Sequence, residues 1–389
     1  MIARTAPGTP KRTCADALAQ RGHFAAAWVA RAFDAVHREA FVPDRVWWPE
    51  SGEDGMFPVL DRTAEPEAWL AAVYDPHRPL ITQVEDRLTP AAGPARGRFS
   101  SSVSAPDVVC DMLGHLQLEE GHTVLEIGTG SGYNAALLCE RVGPSDVTTV
   151  EIDRQLAHRA EEALRSAGYR PDVRCADGER PSGGSHPYDR VIATASTWRI
   201  PYPWVEQVKA GGAILAPRAC ATGADGLLFL RADGDGGAAG RFLGTVSFMR
   251  LRGRFADGST VATVRDSTWD AAETVTRETG PEDLADDADA LFALAMRCPD
   301  LRVSRNDIGT WWLSSADATS WAAARPGPDG TYRVKRWGPR DLFTELLGAA
   351  RWWRDAGRPG ITRFGVTVTA DGETVWLDAP GCRISPPGG

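Results

Sequence analysis

The sequence predicts an α/β protein with a doubly wound parallel sheet, N-terminal helices before it and a small α+β domain after it. Three observations predict this architecture. Between Ser104 and Arg252, short apolar strands alternate with helices, which is typical of parallel strands covered on both faces. Residues 15–41 carry apolar side chains at helical spacing. Near the end of the chain, Asp371-Gly372 separates two alternating segments, a strong hairpin signal.

The alternating region supplies the predicted sheet and its helices. The predicted strands are Thr123–Ile127, Val147–Ile152, Asp172–Cys175, Tyr188–Ala193, Ala213–Ala216, Leu227–Arg231 and Leu243–Met249. The predicted helices are Ala105–Leu116, Tyr133–Arg141, Arg154–Ala167 and a shorter one around Trp204–Val208.

The flanking regions give weaker patterns. Residues 44–97 are rich in Pro, Gly, Trp and charges, so we expect long loops with one short helix near Pro66–Tyr74. In the tail we expect two amphipathic helices, Pro281–Met296 and Gly338–Trp353, followed by the hairpin. The expected domains are 1–98 (N-terminal helices and a Trp-rich insertion), 99–252 (the core) and 253–389 (an accessory domain for peptide recognition).

Composition narrows the function. The formal net charge is −9, which argues against a nucleic-acid binder because such binding needs clustered Lys and Arg. We expect no membrane span and no signal peptide, and therefore a cytoplasmic protein. The seven cysteines are scattered without a CxxC pair, so reduced thiols and no metal site are expected. Three Trp doublets, at 47–48, 311–312 and 352–353, fit either packing or a peptide-binding groove.

The strongest motif is a glycine-rich loop between a buried strand and a helix. Residues 126–132 read Glu-Ile-Gly-Thr-Gly-Ser-Gly, and the predicted ligand-binding residues in this loop are Glu126, Gly128, Thr129, Gly130, Ser131 and Gly132. Glycines at such a turn permit positive φ and a close approach of the backbone to a ligand. A glycine-rich turn alone is a weak signal, because dinucleotide-binding proteins also have one.

Carboxylates at the strand ends make the signal more specific. Glu126 precedes the glycines, where it would repel a pyrophosphate but attract a sulfonium or ammonium group. Glu151, followed by Ile152, ends the next strand and is expected to accept ribose hydroxyls. Asp177-Gly178, after the third strand, is expected to meet an adenine amine. The alternative for each carboxylate is a solvated charge at a strand end.

These residues resemble a known family. Leu125 to Tyr133 is similar to the first motif of protein-L-isoaspartate O-methyltransferases, and Ser104-Ala105-Pro106 resembles that family's active-site segment. Arg38 to Pro43 and Gly211 to Pro217 are similar to further parts of it. The resemblance covers about residues 16–252. It implies a Rossmann-like class I methyltransferase fold, S-adenosyl-L-methionine as the cofactor and a peptide carboxylate as the methyl acceptor.

The expected catalytic residues are Ser104 and Ser102, and Ser102 is also expected to contact the cofactor. A carboxylate with a pKa near 4 is already ionised at neutral pH, so no general base is required. The enzyme then needs only to orient its reactants. Ser104 precedes a helix that begins with a proline, and helix N-termini suit anions. The alternative is that Ser104 merely caps that helix.

Two departures from the family bear on the substrate. The insertion at residues 44–98 is long, and the chain continues beyond the point where the family normally ends. The tail contains Trp337 to Arg340, Arg351 to Trp353 and Arg363 to Thr369. With these segments it resembles extended methyltransferases found beside enzymes of ribosomal-peptide biosynthesis, which act on lanthipeptides and on peptides crosslinked by ATP-grasp enzymes. This implies methylation of an Asp in a crosslinked or cyclic precursor peptide, followed by aspartimide formation.

Three other functions stay open at this point: general isoaspartate repair, a non-catalytic module that binds the cofactor and a peptide, and a nicotinamide oxidoreductase. Glu126 and the absence of a GxGxxG spacing count against the oxidoreductase. The sequence gives no oligomeric state.

Overall fold

The N-terminal part combines helices with a small antiparallel sheet. The computed structural model describes residues 8–181, 187–252, 258–281, 284 and 287–386. The sheet has the order β2-β1-β3-β4, and all its pairs are antiparallel. Its elements, with the neighbouring helices, are α1 (Pro10–Gln20), α2 (Ala27–Ala35), β1 (Arg45–Trp47), β2 (Val59–Asp61), α3 (Pro66–Val73), β3 (Leu80–Val84) and β4 (Phe99–Val103).

Residues 44–97 are mainly loops with one short helix, α3, as predicted, but they also contain three short strands, β1, β2 and β3, that the sequence did not predict. The strands were missed for two physical reasons. β1 and β2 have three residues each, too few to establish a period of two. Every residue of β3 is buried, so the strand lacks the apolar–polar alternation of a half-exposed strand.

The core contains the predicted alternation of strands and helices. β5, β6, β7, β8 and β9 are parallel, and β10 and β11 then continue the sheet antiparallel. The elements are α4 (Pro106–His115), β5 (Val124–Ile127), α5 (Tyr133–Val142), β6 (Val147–Glu151), α6 (Arg154–Ser166), β7 (Asp172–Cys175), β8 (Tyr188–Ala193), α7 (Tyr202–Glu206), β9 (Val208–Arg218), β10 (Gly226–Ala232) and β11 (Ala238–Thr245).

The last core strand differs from its prediction, Leu243–Met249. β11 ends at Thr245, and the following segment runs to the carboxyl end of β8. There the N–H of Ser196 donates to the carbonyl of Met249 at 2.7 Å, and the N–H of Leu251 donates to the carbonyl of Ser196 at 2.8 Å. The apolar residues after Thr245 therefore belong to a segment that passes across the carboxyl ends of the parallel strands. We call residues 247–252 the crossing segment.

The tail forms an antiparallel sheet of its own, and its last hairpin joins the main sheet of the core. Its five-stranded sheet has the order β12-β16-β15-β14-β13, whereas its last hairpin pairs with β11, giving the main sheet the order β18-β17-β11-β10-β9-β8-β5-β6-β7. The elements are α8 (Gly258–Thr268), β12 (Glu273–Arg277), α9 (Ala288–Arg297), β13 (Leu301–Arg305), β14 (Trp311–Ser315), β15 (Trp321–Pro326), β16 (Tyr332–Trp337), α10 (Leu342–Asp355), β17 (Phe364–Thr369) and β18 (Gly372–Leu377).

Two features of the tail differ in detail from expectation. α9 begins at Ala288 instead of Pro281, because the side chain of Asp287 caps it by accepting from the N–H of Ala290 at 3.0 Å. Part of the expected first turn, residues 282–283 and 285–286, lies outside the described residues. The pairing of β17 with β11 also crosses the expected boundary at residue 252, so the sheets do not follow that division.

Alternate residues of each central strand bury opposite faces of the main sheet. Val124 and Ile192 pack on the side of α1, α2, α4 and α5. Leu125 and Val191 pack on the other side, where α7 and the tail helices α9 and α10 lie. The tail therefore supplies much of one helical layer, which explains why an α/β sheet with few helices of its own on that side is fully covered.

The tryptophan doublets mainly contribute to packing. One ring of each doublet is fully buried, namely Trp47, Trp311 and Trp353. The second ring of each doublet is half-buried. Of the two interpretations, packing is therefore supported for the buried member of each pair.

Candidate functional site

A cavity of about 720 Å³ lies at the carboxyl ends of β5, β6 and β8. Its size is within the range of small-molecule sites, and its place is where open α/β sheets bind ligands. Every predicted site residue lines it except Glu126 and Gly132: the lining includes Ser102, Ser104, Gly128, Thr129, Gly130, Ser131, Glu151, Ile152, Asp177 and Gly178.

The path of the glycine loop requires residues without side chains. Gly128 has φ +99°, and a Cβ there would lie 2.6 Å from the hydroxyl of Thr194. Gly130 has φ +54°, and a Cβ there would lie 3.7 Å from the carbonyl oxygen of Ser102, so β4 runs beside the loop. Gly132, at φ +86°, precedes the first turn of α5 and lies behind the cavity wall. The backbone of the loop is thus exposed to a ligand without side-chain shielding.

Glu151 connects the loop to the end of β6. One carboxylate oxygen accepts the N–H of Gly130 at 3.0 Å, and the other accepts the N–H of Asp153 at 3.1 Å. The side chain is buried at the cavity wall. Each carboxylate oxygen has a second lone pair, so the group retains capacity to accept two hydroxyl donors from a ligand.

The structure does not place Glu126 where it was predicted, in contact with the ligand. Its carboxylate is fully buried and does not line the cavity. Asn134 donates to one oxygen at 2.7 Å, and the hydroxyl of Thr149 donates to the other at 2.5 Å. Burial raises the pKa of Glu126 to about 7, against the effect of these two hydrogen bonds. The carboxylate therefore lies behind the residues that line the cavity, where it joins β5 to β6 and to α5.

Asp177 and Gly178 form the far side of the cavity. Asp177 accepts the N–H of Glu179 at 3.0 Å and pairs with Arg180 at 3.2 Å. A Cβ on Gly178 would lie 2.5 Å from a methyl carbon of Ile127, so glycine is required there by close packing. The carbonyl of Gly178 accepts the indole N–H of Trp204 at 2.7 Å, which fixes the turn.

Ser102 and Ser104 lie at the end of β4, on the cavity wall and half-buried. The residue at the capping position of α4 is Ala105, which makes no side-chain cap. The interpretation of Ser104 as a simple helix cap is therefore wrong. The backbone of this segment is held from behind by Arg38, which donates to the carbonyls of Val103 at 3.3 Å and Ser104 at 2.8 Å.

Several lining residues were not predicted. Thr194 follows β8 directly, and its hydroxyl donates to the carbonyl of Gly128 at 2.5 Å. The rule that strand ends bind ligands could have identified it. The crossing segment, residues 247–252, gave no sequence signal, because its position depends on pairing with Ser196.

Arg252 holds the crossing segment against two other parts of the chain. Its guanidinium pairs with Asp153 at 3.1 Å and Asp86 at 3.2 Å. It also donates to the carbonyl of Ser100 at 3.0 Å and to the side chain of Gln83. The insertion, the start of β4, the start of α6 and the crossing segment therefore meet at one edge of the cavity.

Among the described residues, no group of three or more His, Cys, Asp or Glu side chains is arranged to hold a metal ion. No helix among the described residues has both the length and the apolar character needed to cross a bilayer.

Comparisons with known proteins identify the family of this chain. The model of the family described as protein-L-isoaspartate(D-aspartate) O-methyltransferase matches residues 93–255. A protein-L-isoaspartate O-methyltransferase of Korarchaeum cryptofilum is 31% identical over 255 residues, which cover 62% of this chain and 96% of that protein. A relative of the same name from Ignicoccus hospitalis is 42% identical over 118 residues, which cover 30% of this chain and only 56% of that protein.

A solved structure named protein-L-isoaspartate O-methyltransferase has the same fold. It aligns with 95% of this chain and 100% of its own, with a TM-score of 0.53 and 19% identity. An alignment of that extent includes most of the tail. These matches confirm the predicted family and the predicted fold class, and the predicted enzyme class and cofactor, a carboxyl methyltransferase that uses S-adenosyl-L-methionine, are those of the family. The chain belongs to the protein-L-isoaspartate O-methyltransferase family.

Proposed function

We propose that this protein transfers a methyl group from S-adenosyl-L-methionine to the free carboxylate of an isoaspartyl residue in a peptide or protein. The observation that carries the proposal is the juxtaposition, at one cavity, of the glycine loop, Glu151 and the segment from Ser102 to Ser104. Membership of the family supports the reaction class.

The residues at the cavity fit the proposed cofactor. The uncovered backbone of Gly128 to Ser131 suits the amino-acid part of the cofactor, and Glu151 keeps lone pairs for the ribose hydroxyls. Asp177 is available to an adenine amine, and Ile152, 43% exposed, offers an apolar surface to the base. When bound, the cofactor supplies a methyl group that bonds to a carboxylate oxygen while the electrons of the broken carbon–sulfur bond remain on sulfur.

The protein's own contribution is orientation. An acceptor carboxylate is ionised at neutral pH, so the site needs no side chain to remove a proton. We propose that the hydroxyl of Ser104, supported by Ser102, donates a hydrogen bond to one carboxylate oxygen and leaves the other free to react. Holding two reactants in place can lower the barrier by several kcal/mol, on the order of 7 or more.

A paired-peptide assay tests this proposal. Two peptides of one sequence, carrying either isoAsp or Asp, are incubated with the full-length protein and S-adenosyl-L-methionine labelled in its methyl group. We expect label in the isoAsp peptide, in a bond that is labile to base as an ester is. Binding of both ligands without transfer to either peptide would instead indicate the non-catalytic module.

We also propose a narrower function, methylation of an Asp in a ribosomal precursor peptide. The backbone nitrogen that follows the esterified Asp would attack the ester carbonyl and expel methanol, giving a succinimide that water opens to Asp or isoAsp. A second cavity of about 650 Å³ supports it, because core residues such as Trp198 and tail residues such as Arg302 both line it. It shares Leu251 with the first cavity, so one peptide chain could enter both.

The tail alone does not separate the two functions, because the solved family structure aligns with most of it. Substrate preference does separate them. We expect the dedicated enzyme to have a higher kcat/KM for a cyclic Asp peptide than for a linear isoAsp peptide. A preference for linear isoAsp peptides of unrelated sequences would reject the narrower function and retain repair.

A further inference from the structure

One cation at the cavity is left without a hydrogen-bond partner. Arg250 lies on the crossing segment and lines the first cavity. Its buried Nη1 makes no hydrogen bond but forms an ion pair with Asp225 at 3.6 Å. Asp225 therefore occupies one edge of the guanidinium, and the donors Nη2 and Nε make no hydrogen bond to the described residues.

The other cations that line the cavity are engaged. Arg252 is held by Asp153 and Asp86, and Arg98 pairs with Asp86 at 3.2 Å. The imidazole of His77, which also lines the cavity, is hydrogen-bonded to the carboxylate of Asp107 at 2.7 Å. Among the described residues of the cavity wall, Arg250 is the guanidinium that has an ion pair but no hydrogen bond, so its remaining donors can bind a further anion.

The position of Arg250 is fixed on two sides. Its guanidinium carbon lies 4.3 Å from the ring centre of Trp198, which holds the side chain by a cation–π contact. Its backbone pairs with Ser196, two residues after Thr194, and the hydroxyl of Thr194 touches the glycine loop. The side chain thus stands next to the strand end that also contacts the loop, and about a quarter of it is exposed.

We propose that Arg250 binds the carboxylate of the methyl-accepting residue and so determines the specificity of the site. This rests on the function proposed above. Guanidinium groups bind carboxylates through directed, charge-assisted hydrogen bonds. Nη2 and Nε are the donors available for this contact, since Nη1 faces Asp225.

The charge change during the reaction sets the kinetic role of Arg250. The acceptor is negative before methyl transfer and neutral afterwards, so the attraction to the guanidinium weakens along the reaction. An interaction that is stronger in the ground state than in the transition state tightens substrate binding and slows the chemical step, so its removal raises KM and leaves kcat unchanged or higher. Arg250 therefore favours binding of the acid over its ester, which also promotes release of the product.

The test compares Arg250→Gln with Arg250→Lys. For a carboxylate peptide, we expect Arg250→Gln to raise KM by about 10- to 100-fold, the range expected for charged hydrogen bonds, with kcat unchanged or higher. Arg250→Lys keeps the charge and should recover part of the loss. Arg333→Gln, which removes an exposed arginine of the tail, is the matched control.

A binding measurement separates this inference from the proposed function. Calorimetry with S-adenosyl-L-homocysteine present should show that the wild type binds an isoAsp peptide about tenfold or more tightly than its methyl ester. Arg250→Gln should remove this preference. An unchanged KM and an unchanged preference in that variant would overturn the role of Arg250, whereas a wild type that methylates no carboxylate peptide would instead overturn the proposed function.

Discussion

The guanidinium of Arg38 donates a 2.8 Å hydrogen bond to the backbone carbonyl of Ser104. Arg38 is fully buried, donates also to the carbonyls of Val103 and Val73, and lies over the ring of Tyr133 at 4.9 Å. One side chain thereby joins the turn after α2, the end of α3, the end of β4 and the start of α5. The proposed catalytic serine is positioned by a residue that is 66 positions away in the sequence.

Replacing Arg38 by Met should damage both stability and activity. Three buried carbonyls would lose their donor, so we expect a loss of about 3 kcal/mol or more in the free energy of unfolding. Arg38→Lys should be milder in stability but still reduce kcat/KM, because one ammonium cannot reach all three carbonyls. Urea unfolding and peptide methylation measure the two effects. The exposed Arg31→Lys is the control, and equal behaviour of Arg31→Lys and Arg38→Lys would contradict this role.

Ser104→Ala should lower turnover without weakening the fold. Because Ser104 makes no cap for α4, its removal should change the free energy of unfolding by less than about 0.5 kcal/mol. Cofactor affinity should persist, whereas kcat should fall about 10-fold or more, the effect of one lost orienting hydrogen bond. Wild-type kcat in this variant would remove Ser104 from the catalytic machinery.

Gly128→Val should weaken cofactor binding strongly. A Cβ would clash with Thr194, and the positive φ would be strained, so the loop must shift. We expect affinity for S-adenosyl-L-homocysteine to fall by at least about tenfold, or ~1.4 kcal/mol, in calorimetry. Gly121 also has a positive φ, but nothing lies within 4 Å of an added Cβ there. Gly121→Val is therefore the control for the effect of backbone strain away from the cavity. Similar affinities for the two variants would argue against the loop as the binding site.

The buried Glu126 predicts a pH dependence of stability. Its pKa is raised to about 7 by burial, above the value near 4.5 of an unfolded chain. The proton is therefore bound more tightly in the folded state, and the stability that it contributes is complete below about pH 4.5 and is lost as the pH rises through 7. The loss should reach about 3 kcal/mol at most.

Glu126→Gln should flatten this profile, since the amide does not ionise in that range. Thermal or urea unfolding at pH 5, 6, 7 and 8 compares the variant with the wild type and with the exposed Glu67→Gln. A wild-type profile that is no steeper than that of Glu126→Gln between pH 5 and 8 would be evidence that the carboxylate is not buried as described.

The ion pair between Arg218 and Glu373 predicts that the tail stabilises the core. The two side chains meet at 2.7 Å, both about 5% exposed, and Glu373 also accepts the N–H of Ile200. Glu373→Gln would leave the Arg218 charge buried without its partner, so we expect a loss of about 3 kcal/mol in the free energy of unfolding. The exposed pair of Arg363 and Asp378 is the control, where Asp378→Asn should cost less than about 1 kcal/mol.

The central part of the fold was predictable because its signals are local. Strands β5, β6, β7 and β8 carry apolar residues at fixed distances from turn residues, and the glycine loop marks its own position. The carboxylate of Glu151 could also be placed, since strand order brings it beside the loop. The pattern failed for β3, where complete burial removes alternation.

Other features depend on contacts that no local pattern records. Whether the carboxylate of Glu126 faces the cavity or the core depends on Thr149 and Asn134, which come from a different strand and a helix. Arg250 is placed by Ser196 and Trp198 from another part of the chain. Such residues become visible only when the long-range pairing is known.

Strand β11 pairs with β17 of the last hairpin, with Ala238 opposite Val368. This pairing has a consequence for folding during synthesis. During translation the edge of β11 is complete long before its neighbour β17 is made, and an open strand edge can pair with other chains. A ribosome-bound chain in which β17 and β18 have not yet emerged therefore carries an aggregation-prone edge. Expression that is fast relative to folding should favour inclusion bodies, and truncated products should be insoluble even when their methyl-donor cavity is intact.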